Sequence, residues 1–257
     1  MFKLDLKNRN FYVAIDFDKT ITSEESIDSW AASANPSIVP KELCIKMDEL
    51  YDKYRPIEIN YDIPKDEKNK LMKEWYVYCM DLYYQYKLTK VQLEESINKS
   101  DLKLRNGAKE FLELMYKNDI PVIILSAGIG NVISKYLKSE NCFFDNMYII
   151  SNFIQFDEKG DMQKFDNSKI IHTLNKNMEG HLPIKYHEKI KNKKYRLLLG
   201  DLIEDIKMVN ENELSNTIKI AFLNRNQEEC YKIYKEKFDI VLQKENATFR
   251  KVIDLVF

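Results

Sequence analysis

At 257 residues, with 44% hydrophobic and 32% charged residues, the chain has the make-up of a globular protein long enough for one large domain or two small ones. Lys and Arg number 40 against 41 Asp and Glu, a formal net charge of −1. That balance excludes a basic surplus, and with it a nucleic-acid polymer or an anionic membrane as the main partner. No apolar run approaches the roughly 18 residues of a membrane span, and Met1-Phe-Lys-Leu-Asp-Leu-Lys7 lacks the apolar centre of a signal peptide. Cys44, Cys79, Cys142 and Cys230 show no Cys-x-x-Cys spacing and read as reduced core thiols; His172, His181 and His187 show no metal-ligand spacing either. A soluble cytoplasmic protein is expected.

The first element, Phe11 to Ile15, has the length and β-branched content of a buried strand. It runs into Asp16-Phe-Asp18-Lys-Thr20. Alternate residues at the end of an extended segment can be aimed into one crevice, the place where open α/β sheets hold ligands. Two close carboxylates repel, so the pair is costly unless a cation or a proton lies between them. An acidic turn is the plain reading of this stretch, and a metal-assisted aspartate nucleophile is the functional one.

From about Ser26 to Asn98 the pattern is helical, with no glycine. Lys41 to Tyr54 and Asp66 to Tyr86 are amphipathic helices, a third starts at the N-cap Thr89, and Pro36, Pro40, Pro56 and Pro64 punctuate the loops. From Gly107 helices and strands alternate. Helices are predicted at Ala108 to Asn118, Gly130 to Ser139, Ser168 to Leu174, after Pro183, at Ile203 to Asn210, Gln227 to Lys237 and Ala247 to Phe257. Strands are predicted at Pro121 to Leu125, Tyr148 to Ser151, Asn152 to Phe156, Tyr195 to Leu199, Ile218 to Leu223 and Asp239 to Leu242. Such alternation predicts an α/β fold with a doubly wound parallel sheet.

Of only six glycines, Gly128, Gly130 and Gly200 fall directly after predicted strands. Ser126-Ala127-Gly128-Ile-Gly130 at a strand-to-helix junction offers free N–H groups and a hydroxyl suited to phosphate. Gly200-Asp201 with Asp205 four residues on repeats the strand-then-carboxylate pattern. Asp201 would face the crevice of Asp16 and Asp18, and several hard oxygen ligands are what Mg²⁺ requires. A cation to offset a transferring phosphoryl group could be Lys164, Lys169 or Lys176, and spacing does not choose among them.

Asp16-Phe-Asp-Lys-Thr20, Ser126-Ala-Gly, a lysine and Gly200-Asp201-x-x-x-Asp205 resemble, in order, the four motifs of the haloacid dehalogenase superfamily. Glu74-Trp-Tyr76, Ser151-Asn-Phe-Ile-Gln-Phe-Asp157-Glu and His172-Thr-Leu-Asn-Lys176 look like its pyrimidine 5′-nucleotidase (cytosolic type III) family, and the likeness runs from Phe11 to the last helix. The resemblance implies a Rossmann-like core over 1–25 and 100–257 and a helical cap over 26–99, inserted after the first strand. It also implies hydrolysis of nucleoside 5′-monophosphates such as CMP, UMP or 7-methyl-GMP, with Mg²⁺ as cofactor. Asp16 would be the nucleophile and Asp18 the general acid and base. Asp16, Asp201 and the carbonyl of Asp18 would bind the metal, supported by Asp205. Ser126, Ala127, Gly128 and Lys176 would hold the phosphate, and Thr20 would order the turn. Glu58 matches the cap glutamate that contacts the base, with Trp75 a candidate stacking face. Lys19, Asn131 and Cys79 depart from the family pattern. A monomer acting on a small molecule is expected. The alternatives are a phosphatase or phosphotransferase for another small ester, and a phospho-accepting signalling module.

Overall fold

The computed structural model describes residues 4–5, 7–60, 62–178, 181–224 and 227–257. Strand β1 (Phe11–Ile15) leads into one wide helical turn, Phe17–Ile21, which the Thr22 N–H closes on the Phe17 carbonyl at 3.0 Å. The chain then forms α1 (Ser29–Ser33), α2 (Lys41–Glu58), α3 (Lys65–Gln85) and α4 (Lys90–Asn98), and among the described residues this stretch adds no strand to the sheet. Next come α5 (Ala108–Lys117), β2 (Val122–Ile129), α6 (Gly130–Ser139) and β3 (Met147–Asn152). After a long loop follow α7 (Ile184–Ile190), β4 (Tyr195–Gly200), β5 (Thr217–Phe222), α8 (Gln227–Lys237), β6 (Ile240–Leu242) and α9 (Phe249–Val256).

The six strands form one parallel sheet in the order β3-β2-β1-β4-β5-β6. Successive residues of a strand point to opposite faces, and here both faces are covered. Phe11, Val13 and Ile15 join α5, α6 and α9 in one core, while Tyr12 and Ala14 pack with Leu198, Tyr234 and Phe238 in a second. That explains why β1 reads as an unbroken apolar run rather than an alternating one. The chain leaves β1 toward β2 and β3, then returns to β4 on the other side. The carboxyl ends of β1 and β4 therefore flank the switch point, where a doubly wound sheet opens a crevice.

The long helices agree with the periodicity, and Thr89 caps α4 in a reciprocal capping box with Gln92. Pro56 lies inside the last turn of α2, not in a loop. Three further expectations are corrected. Asn152–Phe156 is not a separate strand: Asn152 closes β3, and its amide donates to the carbonyls of Ala127 (2.9 Å) and Ile171 (2.7 Å) and accepts from the Ile171 N–H (2.8 Å), which ends the ladder. Ser168–Leu174 holds only one 3₁₀ turn, Asn167–Lys169. There the Asn175 amide takes up the Ile170 carbonyl (2.9 Å) and the His172 N–H (2.7 Å), backbone groups a helix would use itself. The helix expected at Ile203–Asn210 is a 3₁₀ turn, Ile203–Met208.

Candidate active site

Asp16 follows β1 directly, Asp18 lies within the wide turn, and Asp201 follows β4 directly. Ser126, Ala127 and Gly128 occupy the end of β2, where the register with β3 shifts between Leu125 and Ile129. Lys176 comes from the loop before α7, Glu58 from the end of α2, and Trp75 from α3. These nine residues line one cavity of about 740 Å³. Asp205, fully buried in the turn after β4, stands behind its wall.

Asp16, Asp201 and Asp205 each bring a carboxylate oxygen within 4.8 Å of the others. Lys176 reaches between them, its Nζ lying 2.8 Å from Asp16 Oδ1 and 2.8 Å from Asp205 Oδ1. The second oxygen of Asp205 accepts the N–H groups of Asp201 (3.0 Å) and Leu202 (2.9 Å). Asp205 thus spends its capacity on holding the loop and the lysine. Gly200 makes room for it, since a Cβ there would fall 2.4 Å from Asp205 Oδ2. Burial, offset in part by Lys176 and reinforced by Asp205, pushes the Asp16 carboxyl up to about 6. Burial and the charges of Asp205 and Asp16 raise Asp201 well above the carboxylate range. Burial opposes the charge of Lys176, but the two carboxylates outweigh it and keep the ammonium protonated. Three acids against one lysine leave the cluster short of positive charge, and Asp16 Oδ1, though close to Lys176, makes no aligned hydrogen bond. Hard oxygen donors in this number and spacing fit a divalent cation.

Asp18 has different company. Its Oδ1 accepts the Ser29 N–H at 2.8 Å and its Oδ2 the Ser29 hydroxyl at 2.5 Å. Burial, followed by the nearby charge of Asp28, pushes this carboxyl up to about 8, against the pull of the Ser29 hydroxyl. A carboxyl protonated at neutral pH can act as a proton donor. The turn beneath is ordered by Thr22 rather than Thr20: Thr22 Oγ1 accepts the Lys19 N–H at 2.8 Å, whereas Thr20 Oγ1 is buried without a partner. Buried Arg105 clamps the same turn, donating to the carbonyl of Thr20 (2.9 Å), to the carbonyl of Ala247 (3.0 Å) and to Asn224 Oδ1 (3.0 Å). Asn224 in turn donates to the Lys19 carbonyl at 2.9 Å.

Also on the cavity wall, the Glu58 carboxylate is buried and ion-paired with Arg55. Trp75 stacks on Tyr54 at 5.8 Å and meets Tyr76 edge-on at 5.4 Å. It is thus both core and cavity wall. Of the departures, Asn131 uses both halves of its amide, donating to the Ile154 carbonyl (3.1 Å) and accepting the Ile154 N–H (2.8 Å), which an aspartate could not do. Lys19 donates to the carbonyls of Glu24 and Ser26. Cys79 is buried in the cavity wall. His172 is buried and pushed down to about 4 by burial, so it stays neutral. Sequence reasoning missed Ser29, Arg55, Arg105 and Asn224, single residues in no motif that reach the site only through the fold.

The model of the pyrimidine 5′-nucleotidase (UMPH-1) family matches residues 9–256. The 7-methylguanosine phosphate-specific 5′-nucleotidase of Homo sapiens is 34% identical over 241 residues, covering 91% of this chain and 80% of its own. That of Drosophila melanogaster is 32% identical over 238 residues, covering 90% and 74%. Among solved structures, cytosolic 5′-nucleotidase IIIB bound to cytidine superposes with a TM-score of 0.82 at 28% identity, over 96% of this chain and 85% of that one. A substrate-bound phosphoserine phosphatase, at 19% identity and a TM-score of 0.61 over 96% and 98%, shares the fold. Among the described residues no helix is long and apolar enough to cross a membrane. The motifs at the sheet's switch point and these likenesses agree: the chain belongs to the pyrimidine 5′-nucleotidase family and is a 5′-nucleotidase on a haloacid dehalogenase fold.

Proposed function

We propose that this nucleotidase works through an aspartyl-phosphate on Asp16. A carboxylate oxygen of Asp16 attacks phosphorus, the bond from phosphorus to the ribose 5′-oxygen breaks, and the departing oxygen takes the proton of Asp18. Water then attacks the phosphorylated Asp16 and gives its proton to Asp18, releasing phosphate and restoring both carboxyl groups. The observation that carries this reading is the opposed surroundings of the two acids. Asp16 lies against Lys176 and the acidic cluster, whereas Asp18 is held apart on Ser29 with its proton retained. Mg²⁺ is the cation proposed, held by Asp16, Asp201 and the Asp18 carbonyl and supported by Asp205. It supplies charge neutralisation and alignment of the phosphoryl group. Lys176, Ser126 and the amides of Ala127 and Gly128 hold the remaining phosphate oxygens. The chain acts as a cytoplasmic monomer, with the helices over 26–99 as a cap and 1–25 with 100–257 as the catalytic core.

Glu58, an acceptor, favours bases that offer N–H donors. Cytosine offers its exocyclic amine, and 7-methylguanine two adjacent donors and a positive charge suited to the face of Trp75. Relatives named for 7-methylguanosine phosphate, and one solved with cytidine, support these two bases. The test is phosphate release from CMP, UMP, 7-methyl-GMP, AMP and GMP, with Mg²⁺ or excess EDTA. CMP and 7-methyl-GMP should lead, EDTA should abolish turnover, and Glu58→Gln should lower CMP turnover more than UMP turnover. Full activity in EDTA would refute the metal site, and a uniform effect of Glu58→Gln would move base selection elsewhere.

A further inference from the structure

Ser29 is fully buried, yet its hydroxyl lies among groups from three separate segments. It donates to Asp18 Oδ2 at 2.5 Å and accepts the Ile129 N–H, at the end of β2, at 3.1 Å. Its own N–H donates to Asp18 Oδ1 at 2.8 Å. A serine hydroxyl carries one hydrogen. With Ile129 occupying an acceptor lobe, that hydrogen goes to Asp18, and backbone and side chain of one residue grip both oxygens like a fork. Gly128 makes the grip possible, because a Cβ at that position would fall 1.9 Å from Ser29 Oγ and 2.6 Å from Asp18 Oδ2. The glycine of Ser126-Ala-Gly is therefore needed for Asp18 and Ser29 to meet, apart from any approach to phosphate. Ser29 also opens α1, the first helix of the region between β1 and α5.

We infer that Ser29 is a positioning residue for proton delivery. It fixes the plane of the Asp18 carboxyl so that the proton is aimed at the departing ribose oxygen, and it ties that aim to the seating of the first helix of the cap region. The inference rests on the assignment of Asp18 as general acid. In the step concerned, the bond from Asp16 to phosphorus forms, the bond from phosphorus to the ester oxygen breaks, and the ester oxygen takes the Asp18 proton. A ribose alkoxide is a poor leaving group and needs that proton, whereas p-nitrophenolate departs without it.

The experiment measures phosphoenzyme formation by rapid quench in the Mg²⁺-loaded enzyme, with CMP and with p-nitrophenyl phosphate. Ser29→Ala is expected to slow formation from CMP about ten- to a hundredfold, part of the full range of general acid help. Formation from p-nitrophenyl phosphate should change less than about threefold, and KM for CMP should stay within about threefold. Ser29→Cys keeps the backbone donor and a side chain of similar size, but an S–H is a weak donor. It should show the same selective loss in smaller degree, and it carries the test should Ser29→Ala fold poorly. Equal slowing with both esters, or a change confined to KM, would overturn the inference. Asp18→Asn is the control. A selective loss there without one at Ser29 removes the inference and keeps Asp18 as the acid. Equal loss with both esters at Asp18→Asn removes the acid assignment and the inference with it.

Discussion

Asp16 and Asp18 are two residues apart, yet one faces a lysine and an acidic cluster while the other is gripped by a serine beside Asp28. Their replacements should separate accordingly. Asp16→Asn should abolish both turnover and phosphoenzyme, because an amide is a far poorer nucleophile. Asp18→Asn should retain the fold while turnover drops about 10²- to 10⁴-fold. Trapping of phosphoenzyme and phosphate release report the two effects, and near-normal turnover by either variant would rule out the assigned roles. The raised Asp18 carboxyl has a second, thermodynamic consequence. Its pKa is about 8 in the fold against an ordinary 3.8. Between these values the folded chain keeps a proton that the unfolded chain gives up. The contribution of Asp18 to stability is therefore full below about pH 4 and is lost as pH rises toward 8. In EDTA, Asp18→Asn should melt higher than the parent at pH 8, the gap closing toward pH 4 at no more than about 1.4 kcal/mol per pH unit. A gap independent of pH would disprove the shift.

At the scale of elements, α4 tests whether local capping stabilises without touching chemistry. Thr89 Oγ1 accepts the Gln92 N–H at 3.2 Å and Gln92 Oε1 accepts the Thr89 N–H at 3.0 Å, while no described residue of α4 lines the cavity. Thr89→Ala should cost about 1 kcal/mol in chemical denaturation, with kcat unchanged, and a fall in kcat would show that α4 reaches the site. The cap was legible because Thr-x-x-Gln is a local signal, as were the strand ends carrying Asp16 and Asp201. At Asn152–Phe156 and Ser168–Leu174 the pattern misleads because the Asn152 and Asn175 amides bond the backbone there, and nothing in periodicity registers such bonds. Lys176 could not be chosen from spacing, since what singles it out is two acids, one of which lies 160 residues before it. Arg105 was invisible for the same reason, acting on Thr20 from 85 residues away, and Ser29 because no motif marks a serine 11 residues after Asp18 as its partner.

At the scale of the molecule, α3 and the turn after β4 are joined by a largely buried pair, with Lys68 Nζ 3.6 Å from Glu204. This pair holds the helical region against the loop that carries Asp205. A double-mutant cycle over Lys68→Met and Glu204→Gln should give a coupling of about 0.5–3 kcal/mol, and Lys68→Met should raise KM for the nucleotide several-fold. Additive effects would show that this pair does not help to seat the helices. Arg105 has a different kind of reach. Its guanidinium lies over Phe222, which packs on Phe249 at the head of α9, and the Phe249 N–H donates to the Asn106 carbonyl at 2.8 Å. At Gly107 the backbone takes a φ of 80°, and a Cβ would strike the Arg250 N–H nitrogen at 2.8 Å. The Asp18 turn and the head of α9 are thus one joint, assembled from segments far apart along the chain. A chimaera between relatives with a crossover anywhere from residue 108 to residue 246 would inherit the halves of that joint from different parents. Library designs should exchange 104–107 and 247–250 together.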